Sequence, residues 1–325
     1  MDGGTLPTTR NGLGLNGGPR FDPDVAQDGY VWWYVDALSD DGARGITIIA
    51  FLGSVFSPWY ALARRRGPTD PLNHAAVNVS LYGAPRRWSL TDRPRSSVRR
   101  DATHLSIGPS SLEWDGTALT IRIEEVTAPI PSRLRGTICV IPTAVNTRGF
   151  ALDSAGRHRW RPIAPVARAE VAMDSPGLRW SGAAYLDTND GDAPLERDFV
   201  EWDWCRAPGA DGTAILYEAT RRDGTTQGLS LLAPRDGDVR DAPAPPRTAL
   251  PSTRIWRVPR RTRAEGGEAS VTKTLEDTPF YSRSVLSTRL QGVQRVAVHE
   301  SLLLDRFAMP VVQAMLPFRV PRAFR

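Results

Sequence analysis

The sequence predicts an all-β protein in which short antiparallel strands build two domains. Its 28 glycines and 27 prolines are spread along the whole chain, so turns recur at short intervals. Apolar residues rarely repeat with the period of a helix, and many segments alternate apolar and polar residues as half-buried strands do. A chain of 325 residues is long enough for two domains.

The charge and the content of cysteine and histidine argue against several classes of protein. The positive charge is carried by arginines and a single lysine, Lys273, without the long basic runs of a nucleic-acid binder. Cys139 and Cys205 lack the spacing of a metal or redox motif, and the four histidines are scattered. Residues 12–17, GLGLNG, match a dinucleotide fingerprint, but no strand precedes them and no helix follows. We therefore expect no cofactor, no metal and no nucleic-acid partner.

The first residues carry no apolar signal core, and residues 1–20 are expected to form a flexible N-terminal tail. These features predict a cytoplasmic protein. The excess of arginine is also compatible with peripheral contact to the inner or intracytoplasmic membrane, because anionic lipids contribute roughly 1 kcal/mol for each basic residue near the surface.

The first expected domain, residues 21–165, begins with two apolar segments at 30–38 and 46–55. They flank a turn at Asp41 and Gly42 and predict a hairpin. Residues 56–66, FSPWYALARRR, follow as an aromatic loop. This loop either contacts a membrane surface, covers an apolar pocket or folds back on the core.

Further strands are predicted by alternation and by turn residues. In residues 74–83 His74, Asn78, Ser80 and Tyr82 alternate with apolar residues, so one face meets a core and the other meets water or a polar cavity. A hairpin around Asp115 and Gly116 and a strand at 136–142 follow.

The domain boundary is expected after Pro165. Residues 157–165 contain Pro162 and Pro165, and proline cannot donate to the hydrogen-bond ladder of a central strand. The second expected domain, residues 166–325, then carries strands at 169–173, 179–189, 199–206, 214–221 and 228–233, with turns at 189–191 and 223–224. Residues 295–318 combine a strand with an apolar tail that either packs on the barrel or touches a bilayer, and burial is the expected outcome.

Two pairs of polar and aromatic residues on strand-like segments suggest a site. His158 and Trp160 share one face of an extended backbone, and so do Tyr185 and Asp187. An acid, an imidazole, a phenol and an indole in apolar surroundings are the groups that hydration of an alkene needs. The structural alternative is that His158 is a hydrogen-bonded core residue and Asp187 a turn carboxylate.

The same stretches resemble the bacterial carotenoid 1,2-hydratases, also called hydroxyneurosporene synthases. The matching segments are GYVWWYVDALSDDG, TIIAFLGSVFSPWYA, PLNHAAVNVSLYG, HRW and WSGAAYLDTNDGDAPLERDFVEWDW. The resemblance implies two lipocalin-like antiparallel β-barrel or sandwich domains. It also implies cofactor-free addition of water to the terminal 1,2 double bond of an acyclic carotenoid such as neurosporene or lycopene.

The resemblance carries catalytic roles onto four residues. Neutral Asp187 protonates carbon 2, which leaves the positive charge on tertiary carbon 1, and an apolar pocket favours the neutral acid. Tyr185 orients a neighbouring group or the water, Trp160 turns its ring face towards the cation, and His158 takes a proton from the water. The candidates for substrate binding are Trp33, Phe56, Trp59, Tyr60, Asn78, Tyr82, Trp202 and Trp204.

Two other functions stay open. A lipocalin-like carrier of a polyene or another lipid would have an apolar cavity and no turnover. A cofactor-free cyclase or isomerase on the same scaffold would convert its substrate without taking up oxygen from water. The mass of the product distinguishes these alternatives.

Overall fold

Antiparallel strands dominate the computed structural model, which describes residues 13–236 and 238–323. The chain divides into unit 1, formed by Met1–Pro194 and Ala314–Arg325, and unit 2, formed by Leu195–Gln313. The prediction of an all-β fold is confirmed.

Unit 1 is built on one 12-stranded sheet. Its strands are β1 (Tyr30–Ser39), β2 (Gly45–Leu52), β3 (Ala76–Tyr82), β4 (Arg87–Leu90), β5 (Val98–Arg100), β6 (His104–Ile107), β7 (Ser110–Trp114), β8 (Leu119–Val126), β9 (Arg133–Pro142), β10 (Phe150–Ala151), β11 (His158–Ser175) and β12 (Leu178–Gly191). The order across the sheet is β4-β3-β2-β1-β12-β11-β9-β8-β7-β6-β5, and β10 pairs with β11. The predicted hairpins around Asp41 and Asp115 are confirmed as β1–β2 and β7–β8.

The sheet of unit 1 curls around an apolar core. Val77 on β3 and Ile121 on β8 belong to the same buried cluster although their strands lie far apart in the sheet order. On β1 the core residues alternate, with Val31, Trp33 and Val35 pointing to one face. The alternate residues of β1 lie on the opposite face and are nevertheless buried; they are Tyr30, Trp32, Tyr34 and Asp36.

The expected boundary after residue 165 differs from the division between Pro194 and Leu195. Strand β11 continues through Pro162 and Pro165 to Ser175. It does so because the pairing with β12 shifts register between Pro162 and Ala164 and again between Ala164 and Ala167. Such bulges remove the ladder positions at which a proline N–H would be needed.

The prediction of an aromatic loop at residues 56–66 is wrong, because this segment contains the helix α1 (Pro58–Arg66). Ser57 caps the helix and its Oγ accepts hydrogen bonds from the backbone N–H groups of Trp59 and Tyr60 at 3.2 and 3.3 Å. Proline at the first helical position and arginines in the last turn complete the signals that favour a helix here.

The remaining helices are short. They are α2 (Leu195–Asp198), α3 (Leu304–Ala308), α4 (Pro310–Met315) and 3-10 turns at Leu15–Gly17, Pro71–His74, Arg95–Ser97, Glu265–Gly267 and Leu316–Phe318. None of the helices in the described part of the chain has the length and apolar character needed to cross a membrane.

Unit 2 contains a 7-stranded antiparallel sheet and a 2-stranded one. Its strands are β13 (Phe199–Gly209), β14 (Gly212–Arg221), β15 (Thr226–Ala233), β16 (Arg240–Asp241), β17 (Arg247–Leu250), β18 (Arg260–Arg263), β19 (Ala269–Asp277), β20 (Tyr281–Leu290) and β21 (Val293–Leu303). The larger sheet has the order β16-β15-β14-β13-β21-β20-β19, and β17 pairs with β18. Leu216, Leu286 and Ala297 lie in the small apolar core of this unit.

Part of the expected N-terminal tail is held in place. Residues 1–12 lie outside the described residues, but the carbonyl of Leu15 accepts a hydrogen bond from the indole of Trp114 at 2.7 Å. The guanidinium of Arg161 donates to the carbonyls of Gly17 and Gly18, both at 3.0 Å. Residues 13–20 therefore pack on unit 1.

The C-terminal residues return to unit 1 through Asp92. The backbone N–H of Asp92 donates to the carbonyl of Pro321 at 2.9 Å, and its carbonyl accepts from Ala323 at 2.8 Å. The buried carboxylate of Asp92 also accepts a hydrogen bond from Arg322. The prediction that the apolar tail is buried is wrong for two residues that precede these contacts. Met315 and Phe318 have exposed fractions of 42% and 75%.

Candidate active site

The candidate catalytic residues lie on the face of the unit 1 sheet that points away from its apolar core. We call it the site face; its buried side chains include Tyr30, Trp32, Tyr34 and Asp36 of β1, Tyr185, Asp187 and Asn189 of β12, and His158 and Trp160 of β11. Residues directly opposite each other in an antiparallel pair project to the same side, so the strand register defines the neighbours on this face.

Asp187 is the point at which three of the predicted catalytic residues meet. Its carboxyl is 4% exposed, and Oδ2 accepts hydrogen bonds from Nε1 of Trp160 at 2.9 Å and from the hydroxyl of Tyr185 at 3.0 Å. The turn expected at residues 189–191 is wrong, because β12 extends to Gly191. Asp187 is therefore a buried strand residue and not a turn carboxylate.

This geometry determines where Asp187 can carry a proton. Trp160 and Tyr185 both donate to Oδ2, so the proton of a neutral Asp187 belongs on Oδ1. When Oδ1 releases that proton, the two donors stabilise the carboxylate that forms. The arrangement suits a general acid that protonates a weakly basic atom.

His158 forms a second hydrogen-bonded pair on the site face. Its Nδ1 lies 2.9 Å from the hydroxyl of Tyr30, and both side chains are buried. The two residues flank Gly191, which is opposite each of them in the strand register. A Cβ atom at Gly191 would lie 2.5 Å from the Tyr30 ring and 2.7 Å from Nδ1 of His158, so only glycine permits this contact.

His158 lies farther from Asp187 than the sequence pattern suggested. The register places His158 opposite Gly191 and Asp187 opposite Pro162. Asp187 and Gly191 are four positions apart, which corresponds to about 13 Å of extended strand. His158 and Asp187 therefore share a face but lie at different positions along it.

The sequence analysis missed a second carboxyl on the same face. The hydroxyl of Tyr34 donates to Oδ2 of Asp36 at 3.0 Å, and the exposed fraction of Asp36 is 0%. In the register Tyr34 lies opposite Asp187 and Asp36 opposite Tyr185. The signal that was available is the repetition of Tyr-x-Asp, as YVD at 34–36 and YLD at 185–187.

Several of the candidates for substrate binding also lie on or beside the site face. Phe56 packs against Phe51 at 5.9 Å between ring centroids, and Phe51 packs against Trp32 at the same distance. Asn78 and Tyr82 follow the alternation of β3 on this face and are buried. The amide of Asn78 donates to the carbonyl of Ser89 at 2.8 Å, which fixes its orientation.

Other candidates in unit 1 are placed elsewhere. Trp33 lies on the core face and packs edge-on against Phe21 at 5.0 Å. Trp59 donates its indole N–H to the carbonyl of Val320 at 2.8 Å. Tyr60 donates to the carbonyl of Gly29 at 2.6 Å and so packs against the segment that leads into β1.

Trp202 and Trp204 belong to β13 of unit 2. Trp204 lines a small cavity together with Asp203 and His299. The Nε2 atom of His299 lies 2.7 Å from the carbonyl of Arg261 and 3.7 Å from a carboxyl oxygen of Asp203. Burial raises the pKa of Asp203 to about 7 and lowers the pKa of His299 to about 4, so both groups favour their neutral forms.

No group of three or more His, Cys, Asp or Glu side chains within residues 13–236 and 238–323 has the arrangement of a metal site. The polar groups of the site face are instead joined in hydrogen-bonded pairs. An all-β scaffold that carries a buried carboxyl held by an indole and a phenol defines the class of this protein as a lipocalin-like fold with a polar site on one sheet.

Comparison with known proteins agrees with this class. Residues 48–325 match the family described as carotenoid hydratase CrtC. An acyclic carotenoid 1,2-hydratase of Thiocapsa roseopersicina is 58% identical over 323 residues, which are 99% of this chain and 80% of that protein. A second, from Rubrivivax gelatinosus, is 50% identical over 317 residues, 94% of this chain and 76% of that protein. The chain belongs to the carotenoid hydratase family, and the predictions of this family and of a hydro-lyase are confirmed.

Solved structures with low sequence identity share the fold. A Nitrosomonas europaea protein assigned as AttH superposes with a TM-score of 0.57 at 14% identity and covers 93% of this chain and 97% of its own. Kievitone hydratase from Nectria haematococca superposes with a TM-score of 0.55 at 9% identity. It covers 93% of this chain and 94% of its own. These similarities support the lipocalin-like architecture.

Proposed function

We propose that this chain hydrates the terminal 1,2 double bond of an acyclic carotenoid, such as neurosporene or lycopene, without a cofactor. The observation that carries the proposal is the buried carboxyl of Asp187, whose Oδ2 accepts hydrogen bonds from both Trp160 and Tyr185. The names of the relatives from Thiocapsa roseopersicina and Rubrivivax gelatinosus support this substrate class.

The proposed reaction begins with proton transfer from Oδ1 of Asp187 to carbon 2. The π electrons form the new C–H bond, and the positive charge develops on tertiary carbon 1. Trp160 and Tyr185 stabilise the Asp187 carboxylate as it forms. Water then attacks carbon 1, and a base removes its extra proton to give the 1-hydroxy carotenoid.

Aromatic rings supply the environment of the cation. Tyr34 lies opposite Asp187 in the register, and Trp160 contacts Asp187 from the other neighbouring strand. A desolvated cation over an aromatic face gains roughly 2 kcal/mol. Trp32, Phe51 and Phe56 extend the aromatic surface along the site face and are proposed to contact the polyene.

The experiment is incubation of the purified protein with lycopene in ¹⁸O-labelled water with no added cofactor. Hydration predicts a product that is heavier by one labelled water. A cyclase would give a product of unchanged mass, and a carrier would return lycopene unchanged although binding is detected. Either of the last two results would contradict the proposed function.

We also propose a peripheral membrane contact through one surface of unit 1, because an acyclic carotenoid dissolves in a bilayer and not in water. This basic-apolar surface consists of Leu62, Arg65, Arg66, Met315, Phe318 and Arg319. The hydrogen bond from Trp59 to Val320 joins α1 to the C-terminal segment. Leu62 and Phe318 are 40% and 75% exposed, and Arg65 and Arg66 form no ion pair within the described residues.

Flotation with phosphatidylglycerol vesicles tests this contact. Each arginine removed should weaken binding about fivefold, so Arg65→Ala/Arg66→Ala should weaken it about 25-fold. Arg133→Ala/Arg135→Ala is the matched control, because both arginines are exposed on β9 of the same unit. Phe318→Ser should also weaken binding, whereas Ile130→Ser, at a side chain that is 79% exposed, should not. Equal effects of the test and control variants would contradict the assignment of this surface.

A further inference from the structure

The pair Tyr34–Asp36 repeats the pair Tyr185–Asp187 on the neighbouring strand. In each pair the tyrosine hydroxyl donates to Oδ2 of the aspartate two residues later, at 3.0 Å. Because β1 and β12 are antiparallel, the carboxyl of one strand lies beside the phenol of the other. The rings of Tyr34 and Tyr185 meet edge to face at 6.2 Å, so the four side chains form one group.

Asp36 lies closer to Asp187 than His158 does. Asp36 and Asp187 are diagonal neighbours in the register, a relationship that places the residues about 7 Å apart. His158 is displaced from Asp187 by about 13 Å along the strand. In inverting glycosidases the two carboxyl groups are roughly 6.5–9.5 Å apart. This distance lets one carboxyl group act as the acid while the other activates a water molecule between them.

We propose that Asp36 is a further catalytic residue of the proposed hydration, as the carboxylate that removes the proton from the attacking water. The proposal rests on the function proposed above. The Oδ1–H bond of Asp187 breaks as the carbon 2–H bond forms from the π electrons, and the water oxygen then bonds to carbon 1. One O–H bond of that water breaks, and its proton moves to Asp36.

The group of four side chains also provides a route that completes the cycle. After the reaction Asp36 is neutral and Asp187 is charged, so one proton must return to Asp187. The hydroxyl of Tyr34 donates a hydrogen bond to Asp36, and the hydroxyl of Tyr185 donates one to Asp187. These hydroxyls place two exchangeable protons between the two carboxyl groups.

The test compares Asp36→Asn with His158→Gln in single-turnover hydration of lycopene in detergent micelles. Asparagine keeps the shape of the side chain and still accepts a hydrogen bond from Tyr34. If Asp36 is the general base, Asp36→Asn should lower the rate at least about 100-fold and leave the affinity for the carotenoid unchanged. His158→Gln should lower the rate by less than Asp36→Asn does, by about tenfold at most, because it does not remove the proposed base.

Two further measurements separate catalysis from packing. Thr47→Val changes the residue directly opposite Asp36 on β2 without removing a carboxyl, and it should leave the rate unchanged. Formate should partly restore the activity of Asp36→Ala.

Two results would overturn the proposal. If Asp36→Asn retains the original rate and His158→Gln is the inactive variant, His158 is the base. If Thr47→Val is as inactive as Asp36→Asn, the effect of both is packing. Failure of the proposed function is distinct from either result, because the unmodified protein would then give no hydrated product at all.

Discussion

The indole N–H of Trp160 points at the same carboxyl oxygen of Asp187, Oδ2, that accepts the hydroxyl of Tyr185. The two donors lie 2.9 and 3.0 Å from that oxygen, one from β11 and one from β12 itself. Two adjacent strands therefore hold one carboxyl in a defined orientation. This relationship supports our proposal that Asp187 is the acid and that Oδ1 is the oxygen that carries its proton.

Trp160→Phe removes one of these donors and retains most of the ring. Loss of a donor to a developing negative charge should lower the rate of hydration roughly 100-fold, as removal of an oxyanion-hole donor does. Carotenoid binding, followed by the shift of the carotenoid absorbance, should persist because the aromatic surface remains. A rate equal to that of the original protein would show that this hydrogen bond is not used in the reaction.

Gly191→Ala tests the contact between Tyr30 and His158. The added methyl group would lie 2.5 Å from the Tyr30 ring and 2.7 Å from Nδ1 of His158, so the two side chains must separate. Overpacking of this kind should lower the free energy of unfolding by about 1–3 kcal/mol, measured by denaturant titration. Gly177→Ala is the control, because no atom lies within 4 Å of a Cβ at that position. Equal stability of the two variants would contradict the described packing.

Asp203 and His299 are neighbouring groups of unit 2, and their titrations should change its stability in opposite directions as pH changes. The pKa of Asp203 is raised from 3.8 to about 7, so its contribution to stability is lost as pH rises from about 4 to 7. The pKa of His299 is lowered from 6.5 to about 4, so its contribution is lost as pH falls through the same window. The two effects offset each other between about pH 4 and 6.5 in the original protein.

Single variants should reveal each slope. Asp203→Asn removes the opposing contribution of Asp203, so the thermal midpoint of unit 2 should rise more steeply with pH between about 4 and 6.5 than in the original protein. With His299→Gln only Asp203 titrates, and the midpoint should fall as pH rises over that range. Calorimetry across this range checks both signs, and a slope of the same sign in both variants would contradict the assignment.

The fold was largely predictable because alternation along a strand is a local property. The apolar segments at 30–38 and 46–55 and the turn at Asp41 and Gly42 predict a hairpin, and the structure forms it as β1 (Tyr30–Ser39) and β2 (Gly45–Leu52). The prediction failed where a tertiary effect prevailed. Pro162 and Pro165 indicate the end of a strand, but bulges in the pairing with β12 let β11 continue past them. At residues 58–66 the structure has a helix where a loop is expected, because Ser57 caps the helix and Pro58 occupies its first position.

The candidate site was predictable only in part. The resemblance to carotenoid hydratases identified Asp187, Tyr185, Trp160 and His158, and three of these meet at one carboxyl oxygen. The position of Asp36 beside Tyr185 depends on the pairing of β1 with β12, which joins residues about 150 positions apart. No local pattern encodes that register. The same holds for Tyr30, which reaches His158 across Gly191.

The most direct test of the account is the single-turnover rate of Asp187→Asn with lycopene in deuterated, ¹⁸O-labelled water. The original protein should yield a product with deuterium on carbon 2 and the labelled oxygen on carbon 1. Asp187→Asn should bind lycopene and form this product at least about 1,000-fold more slowly, because its amide cannot donate the proton. Labelled product formed by Asp187→Asn at the rate of the original protein would contradict the assignment of Asp187 as the acid.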